Sequence, residues 1–148
     1  MKLPKLCFTI FFILLNCSPG KPIPIKKGEC KCEHCNMSIV DLRFNSQAIT
    51  SKGKIFHFDS AECLIYWREK IHQSNDISSY FKNFIHPDQY IALQQAIFLQ
   101  SETLKSPMGE GISVFSSKEE AKEIRDKFNG ELKSYEELKE LLLKKWKK

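Results

Sequence analysis

Cys32-Glu33-His34-Cys35-Asn36-Met37 and, after a predicted hairpin, Asp59-Ser60-Ala61-Glu62-Cys63 are the two stretches that decide the fold of this chain. The first places a CxxC pair at a tight knuckle, and the second places a D-x3-C at the start of a predicted helix. Two pairs of ligands that meet across a hairpin have treble-clef geometry, and such sites hold Zn(II) tetrahedrally. The sequence therefore predicts that both cysteines of the first stretch lie beside Asp59 and Cys63.

The residues between and after these stretches predict a ββα unit. Extended segments and a turn are expected at Ser38–Leu42, Phe44–Thr50, Ser51–Lys54 and Ile55–Phe58. Asp59, with Glu62 three residues further on, forms a predicted capping box that starts the helix. Cys63 falls in the first turn of that helix, so the hairpin carries one ligand pair on each side.

The remaining sequence contains a second strand–loop–strand–helix pattern, which suggests a distant repeat within an α+β fold. The predicted strands are Tyr80–Ile85, Ala96–Gln100 and Ile112–Phe115, with a short helix over Ile91–Phe98 as an alternative to the second. Two further helices are predicted from their caps, which are Ser117 with Glu120 and Ser134 with Glu137, and the first of them ends at Asn129-Gly130.

The N-terminal segment has the pattern of a bacterial lipoprotein signal. Two lysines precede the apolar run Leu6–Leu15, and the segment ends at Leu14-Leu15-Asn16-Cys17, a loose lipobox. We expect residues 1–16 to be removed, Cys17 to carry lipid and residues 17–28 to form an extended tether. The alternative is cleavage a few residues later, which leaves Cys17 as a free thiol or removes it. The pattern predicts a cell-envelope protein that is lipid-anchored and faces the periplasm or another extracytoplasmic side.

The charge of the chain argues against nucleic-acid binding. The formal net charge is +5, and loss of Lys2 and Lys5 with the signal lowers it to +3. The remaining excess lies largely in the tether and in the last five residues, where lysines suit the negative end of a helix or an anionic membrane face. We expect no nucleic-acid partner, and a monomer of one or two small domains.

Four cysteines remain after the lipobox: Cys30, Cys32, Cys35 and Cys63. In an exported protein an even number of cysteines normally forms disulfides, here with three possible pairings. A dense set of sulfur donors equally favours soft ions such as Cu(I) or Zn(II). The cysteine count alone leaves the disulfide and metal interpretations open.

The two metal interpretations use different residues. A zinc site takes the treble-clef set, in which Asp59 is either a ligand or only a helix cap. A Cu(I) site needs two or three soft ligands, and the thioethers available are Met37, beside the CxxC, and Met108. Methionine normally fills cores. Met108, however, lies between Pro107 and Gly109 in a polar loop that is able to fold towards the cysteines.

Several motifs together resemble the nitrous oxide reductase accessory lipoprotein (NosL) family. They are Cys32-x-x-Cys35-x-Met37, Asp41 with Arg43-Phe44, Phe58-Asp59-Ser60-x-x-Cys63-Leu64, Ala96-x-Phe98, Ser106-Pro107-Met108-Gly109, and Ala121 with Gly130. They run in order over most of the mature chain behind a lipoprotein signal. The resemblance implies a membrane-anchored Cu(I) chaperone that serves the copper centre of a periplasmic reductase.

The resemblance also implies a fold and a ligand set. The fold is two small related ββαβ units, 29–85 with the treble-clef-like CxxC hairpin and helix, and 86–148 with the Met-Gly loop. The implied Cu(I) ligands are Cys32 and Met108. Cys35 and Met37 match the motif with less direct support, and Asn36 replaces the usual glycine. Cys63 occurs in only some relatives, so it is a candidate ligand or a structural residue.

Other side chains are candidates for completing the site. His34, inside the CxxC, and His57, on the hairpin, are possible third ligands, although a lone histidine is more often packed or exposed. Cys30 lies outside the family pattern, where it is able to compete for metal or to pair with another thiol.

These residues are compatible with three functions. The first is a metallochaperone that delivers Cu(I) to an exported copper enzyme, such as nitrous oxide reductase, or to its assembly machinery. The second is a binding module stabilised by Zn(II). The third is a thiol oxidoreductase, which the strand predicted after Cys35 disfavours, since such motifs open a helix. We expect no enzymatic activity, because the chain has no further nucleophile–base set and no phosphate-binding loop.

Overall fold

The computed structural model describes residues 20–71 and 76–147, so the expected signal and the lipidation site at Cys17 lie outside the described residues. The strands and helices are β1 (Ser46–Thr50), β2 (Ile55–Phe58), α1 (Ala61–Tyr66), β3 (Ile77–Lys82), β4 (Tyr90–Ala92), β5 (Ile97–Gln100), β6 (Ile112–Phe115), α2 (Lys118–Phe128), β7 (Glu131–Lys133) and α3 (Tyr135–Lys145). A π-helical turn, Trp67–Ile71, continues α1. No helix in the two described ranges is long and apolar enough to cross a membrane.

The same ββαβ arrangement occurs twice. The first sheet has the order β2-β1-β3-β4, and the second has the order β6-β5-β7. All strand pairs are antiparallel. In each unit a helix, α1 or α2, connects the second strand to the third. The predicted α+β fold of two small related ββαβ units is confirmed. The first sheet also takes its outer strand, β4, from beyond residue 85.

A shared hydrophobic core joins the two sheets. Its buried members include Phe58, Leu64, Phe81, Phe98, Ile112, Leu138 and Leu142. Full burial of each such side chain contributes about 1.5–3 kcal/mol. Because α1 contacts both α3 and β6, the start of α1 is held beside the loop that leads into β6. This packing relates the cysteine motifs to the Met-Gly loop.

Three of the predicted elements differ from the structure. Ser38–Leu42 is not a strand; it makes one isolated bridge, Lys31 with Ser38. Its backbone bonds to the N-terminal segment instead of to a strand, since the Ile39 carbonyl accepts from the Gly28 N–H at 2.7 Å. The strand predicted over Tyr80–Ile85 is β3, which begins and ends earlier because pairing with β1 sets its register. The helical alternative for Ile91–Phe98 is wrong, because a short 3-10 turn separates β4 from β5 there.

The capping box predicted for α1 is also wrong. Ser60, not Asp59, is the N-cap, and its hydroxyl accepts from the Cys63 N–H at 3.3 Å. Asp59 and Glu62 are 2% and 0% exposed. Both side chains therefore point into the protein interior and do not cap the helix, so they are available for other contacts.

The caps predicted for the later helices are present. Ser134 and Glu137 make a reciprocal capping box at the start of α3. Ser117 caps α2, which ends at Asn129 in the left-handed conformation. The Glu120 carboxylate does not complete a capping box. It accepts from the Ser116 hydroxyl and lies 3.3 Å from His86 Nε2.

Candidate metal centre

Four side chains converge beside the start of α1. One ligand atom from each of Cys32, Cys35, Asp59 and Cys63 lies within 4.8 Å of all the others. Cys35 is partly exposed, whereas the other three are buried. The two halves of the predicted treble clef therefore meet, at a spacing that suits a bound metal ion with metal–ligand distances of about 2.0–2.3 Å.

The CxxC loop is shaped by its own backbone. The Cys32 N–H donates to Met37 O at 2.8 Å, and the Asn36 N–H donates to Cys32 O at 2.9 Å. Asn36 has φ 63°, in the left-handed region, which asparagine tolerates better than most residues. The Glu33 N–H donates to His57 O at 2.8 Å and so attaches the loop to β2.

The junction of β2 and α1 places the second pair of ligand atoms. Asp59 is the last residue before the Ser60 cap, and Cys63 follows in the first helical turn. The Ser46 hydroxyl donates to Ser60 O at 2.8 Å from the neighbouring strand. Because Ser46 and Ser60 are fully buried, the junction holds Asp59 and Cys63 in fixed positions relative to the sheet.

Ionisation of the three thiols is unequal. A hydrogen bond from the Cys63 thiol lowers the pKa of Cys32 from 9.0 to about 7, against the opposing effect of burial. The same bond, with burial, raises the pKa of Cys63. Burial raises the pKa of Cys35 to about 12, and its thiol donates to Asp59 Oδ2 at 3.3 Å. Cys32 is therefore the thiol of the cluster that ionises most readily, and it does so close to neutral pH.

Met108 lines a cavity that reaches the CxxC loop at His34. The cavity has a volume of about 430 Å³ and is lined by His34, Tyr66, Met108, Lys145 and Trp146. His34 belongs to the CxxC loop, and its ring stacks on Trp146 with centroids 5.8 Å apart and an angle of 6°. His34 Nδ1 is buried and has no hydrogen-bond partner. The fold thus brings the Met108 thioether and the imidazole of the CxxC loop to one cavity.

Two buried glutamates hold the loop that carries Met108. Glu62, on α1, accepts from the Ser106 hydroxyl at 2.5 Å, and Ser106 accepts from the Gly111 N–H at 2.9 Å. Glu110 forms an ion pair with Lys145 at 2.8 Å and accepts from Trp146 Nε1 at 3.1 Å. The Met-Gly loop is therefore fastened to α1 on one side and to the end of α3 on the other.

The sequence matches the model of the NosL family over residues 22–143. The chain belongs to the NosL family. No curated protein sequence matches it. Among solved structures, the crystal structure of the copper chaperone NosL from Shewanella denitrificans is similar, with a TM-score of 0.68 and 21% sequence identity. The match covers 80% of this chain and 96% of that chain, and it shows that the fold is shared.

Not all of the candidate ligand residues belong to the cluster. Met37, whose carbonyl accepts from the Cys32 N–H, is 46% exposed. His57 and Cys30 are not among the cluster's ligand atoms. Within the described residues all four cysteines are unpaired thiols, so the disulfide interpretation does not describe this structure.

Two residues that position the Met-Gly loop were not predicted from the sequence. Glu62 was interpreted as a cap, although it is fully buried against the Met-Gly loop. Glu110 is 8% exposed in a loop that was considered polar. A usable signal was present at Glu62, because it lies one position before Cys63 on a helix whose next residues, Leu64 and Ile65, are apolar.

Proposed function

We propose that this chain is a membrane-anchored Cu(I) metallochaperone that delivers copper to an exported copper enzyme, such as nitrous oxide reductase, or to its assembly machinery. Lipid on Cys17 would anchor it in the cell envelope. The observation that carries the proposal is that Met108 lines the same cavity as His34, which lies between Cys32 and Cys35 in the CxxC loop. A thiolate and a thioether are the ligand pair that suits Cu(I).

In this proposal Cys32 and Met108 are the primary ligands of the cargo ion. Cys35 is partly exposed beside them and is available as a third ligand, while Cys63 stabilises the Cys32 thiolate in the absence of metal. A Cu(I) ion with only two or three ligands accepts an incoming donor from the client before its own ligands leave. Such exchange moves the ion without a redox step, so the chain acts as a carrier and not as an enzyme.

An anaerobic competition titration with a Cu(I) chelator tests the ligand assignment. Cys32→Ser and Met108→Leu should each weaken binding, whereas Cys30→Ser, outside the cluster, should not. Met37→Leu is the matched control for the thioether, because Met37 is exposed. Unchanged one-to-one affinity in the Cys32→Ser, Met108→Leu double variant would refute the assignment.

A Zn(II)-stabilised binding module is the second candidate, and the compact four-donor cluster favours it. A structural zinc ion contributes directly to folding, so chelation should then unfold the protein. Thermal unfolding with and without a zinc chelator separates the two functions. If the chain is a chaperone, the metal-free protein should be folded and the chelator should leave the midpoint of thermal unfolding unchanged. If it is a zinc-stabilised module, the chelator should lower that midpoint strongly.

A further inference from the structure

The N-terminal segment of the described chain is bound to the first sheet. The Ile23 N–H donates to Gln47 Oε1 at 3.0 Å, and Gln47 Nε2 donates back to Ile23 O at 2.6 Å. Gln47 is fully buried under this segment, and Ile25 is 9% exposed. The Tyr80 hydroxyl donates to Gly20 O at 3.4 Å. The expected tether is therefore part of the folded body from Gly20 onwards.

Gly20 lies at the turn end of the β1–β2 hairpin. A Cβ atom at Gly20 would come within 3.1 Å of Ile49 Cγ2. Ile49 pairs with Ile55, next to the turn that joins the two strands. The chain consequently enters the folded body at this end of the first sheet.

The metal cluster lies at the opposite end of the same hairpin. Ser46 pairs with Phe58 there, and Asp59 follows directly. At about 3.4 Å per residue, the path along β2 from Ile55 to Asp59 covers about 14 Å. The entry point of the chain and the metal site are thus separated by the length of the sheet.

The turn end has a basic and partly apolar surface. Lys21, Lys52 and Lys54 are exposed around the entry point. The helical run from α1 leads back towards this end, because β3 follows it and begins at Ile77, which pairs with Thr50. The last residue of the run, Ile71, is 59% exposed. The acidic residue Asp76 also lies here, since its carbonyl accepts from the Ser51 N–H at 2.9 Å. The three lysines and the Asp76 side chain together therefore carry a net positive charge.

We propose that this surface, defined by Lys21, Lys52, Lys54 and Ile71 and called the hairpin end, rests on an anionic phospholipid membrane. The inference rests on the lipid anchor at Cys17 in the proposed function. Three Cα–Cα steps separate Cys17 from Gly20 and span at most about 11 Å. An anchor at that distance holds the hairpin end at the headgroups, where the lysines meet anionic lipid and Ile71 meets the interface. The metal cluster then faces away from the membrane, towards a client.

Hydrogen exchange on the full lipoprotein in nanodiscs tests this orientation. Intact mass first establishes the lipid on Cys17. Relative to the detergent-solubilised protein, nanodiscs containing phosphatidylglycerol should slow exchange at residues 51–54 about fivefold or more and leave residues 33–37 and 106–111 unchanged. Protein without the lipid would refute the anchor, and with it the inference. Lipidated protein with slowed exchange at the cysteine and methionine loops, or with none at the turn, would refute the orientation alone.

Charge reversal provides a second readout. Each lysine near an anionic surface strengthens association about fivefold. Lys52→Glu with Lys54→Glu should therefore abolish the difference in exchange between phosphatidylglycerol and phosphatidylcholine nanodiscs. The matched control is Lys118→Glu with Lys122→Glu, two exposed lysines on α2. Equal behaviour of the two double variants would overturn the proposed contact.

Discussion

The Ser106 hydroxyl donates a 2.5 Å hydrogen bond to Glu62 Oε1, and this bond joins the Met108 loop to the helix that carries Cys63. The same oxygen also accepts from the Ile112 N–H at 3.4 Å. Glu62 is fully buried, and burial raises its pKa, so the side chain is held towards its neutral form. A buried acid thus positions one proposed ligand relative to the cysteine cluster.

Removal of the hydrogen bond between Glu62 and Ser106 should weaken Cu(I) binding. Glu62→Ala leaves Ser106 and the Ile112 N–H without their acceptor, at a cost of about 1–3 kcal/mol in the free energy of unfolding. Loss of a supporting hydrogen bond typically weakens metal binding about 10–100-fold. Chelator competition should show this loss, whereas Glu62→Gln, which retains an acceptor oxygen, should bind Cu(I) nearly as the parent protein does. Equal losses in both variants would contradict the positioning role.

The raised pKa of Glu62 predicts a pH dependence of stability. The folded state retains this proton to higher pH than the unfolded chain, whose carboxyl titrates near the ordinary value of 4.5. Between the two pKa values the folded state holds more protons, so the free energy of unfolding falls as pH rises. Relative to Glu62→Gln, the parent protein should lose stability above about pH 4.5 and level off beyond the folded pKa. Urea unfolding of both proteins across pH measures the difference, which should not be constant.

The thiol pair predicts a thiolate in the metal-free, reduced protein. Because the Cys63 thiol donates to Cys32, the pKa of Cys32 is about 7. Thiolate ultraviolet absorbance should show one transition near that pH, and Cys63→Ala should move it up towards 9.0, the ordinary value. Cys32→Ser should abolish the transition and Cys30→Ser should preserve it. A transition that survives Cys32→Ser would assign the thiolate to another cysteine.

Trp146 should report on ion binding at the cavity. It lines the cavity with Met108, whereas Trp67 is 5% exposed in the core, with its ring 4.8 Å from that of Phe56. Binding of Cu(I), or of the redox-inert Ag(I), should quench the emission of Trp146 by the heavy-atom effect. Trp146→Phe should remove most of the response and leave Trp67 emission insensitive. Full quenching in that variant would place the ion away from the cavity.

Two predicted capping boxes with the same spacing differ in the structure. Ser134 and Glu137 were identified as a capping box because a cap depends on residues three positions apart, and both bonds are present. Asp59 with Glu62 has the same spacing, yet Ser60 became the cap. There the demand of the buried core and of the Met-Gly loop outweighed a local preference worth about 1 kcal/mol.

By itself, the sequence determined the repeated hairpin–helix order and the convergence of the CxxC with Asp59 and Cys63. These follow from contacts within one supersecondary unit, whose geometry local spacing sets. Only the tertiary structure decided that Met108 and His34 share a cavity, and that Ile23 binds the buried Gln47. Those contacts join segments far apart in the chain, and they depend on how the helices and two sheets pack around one core, which periodicity does not encode.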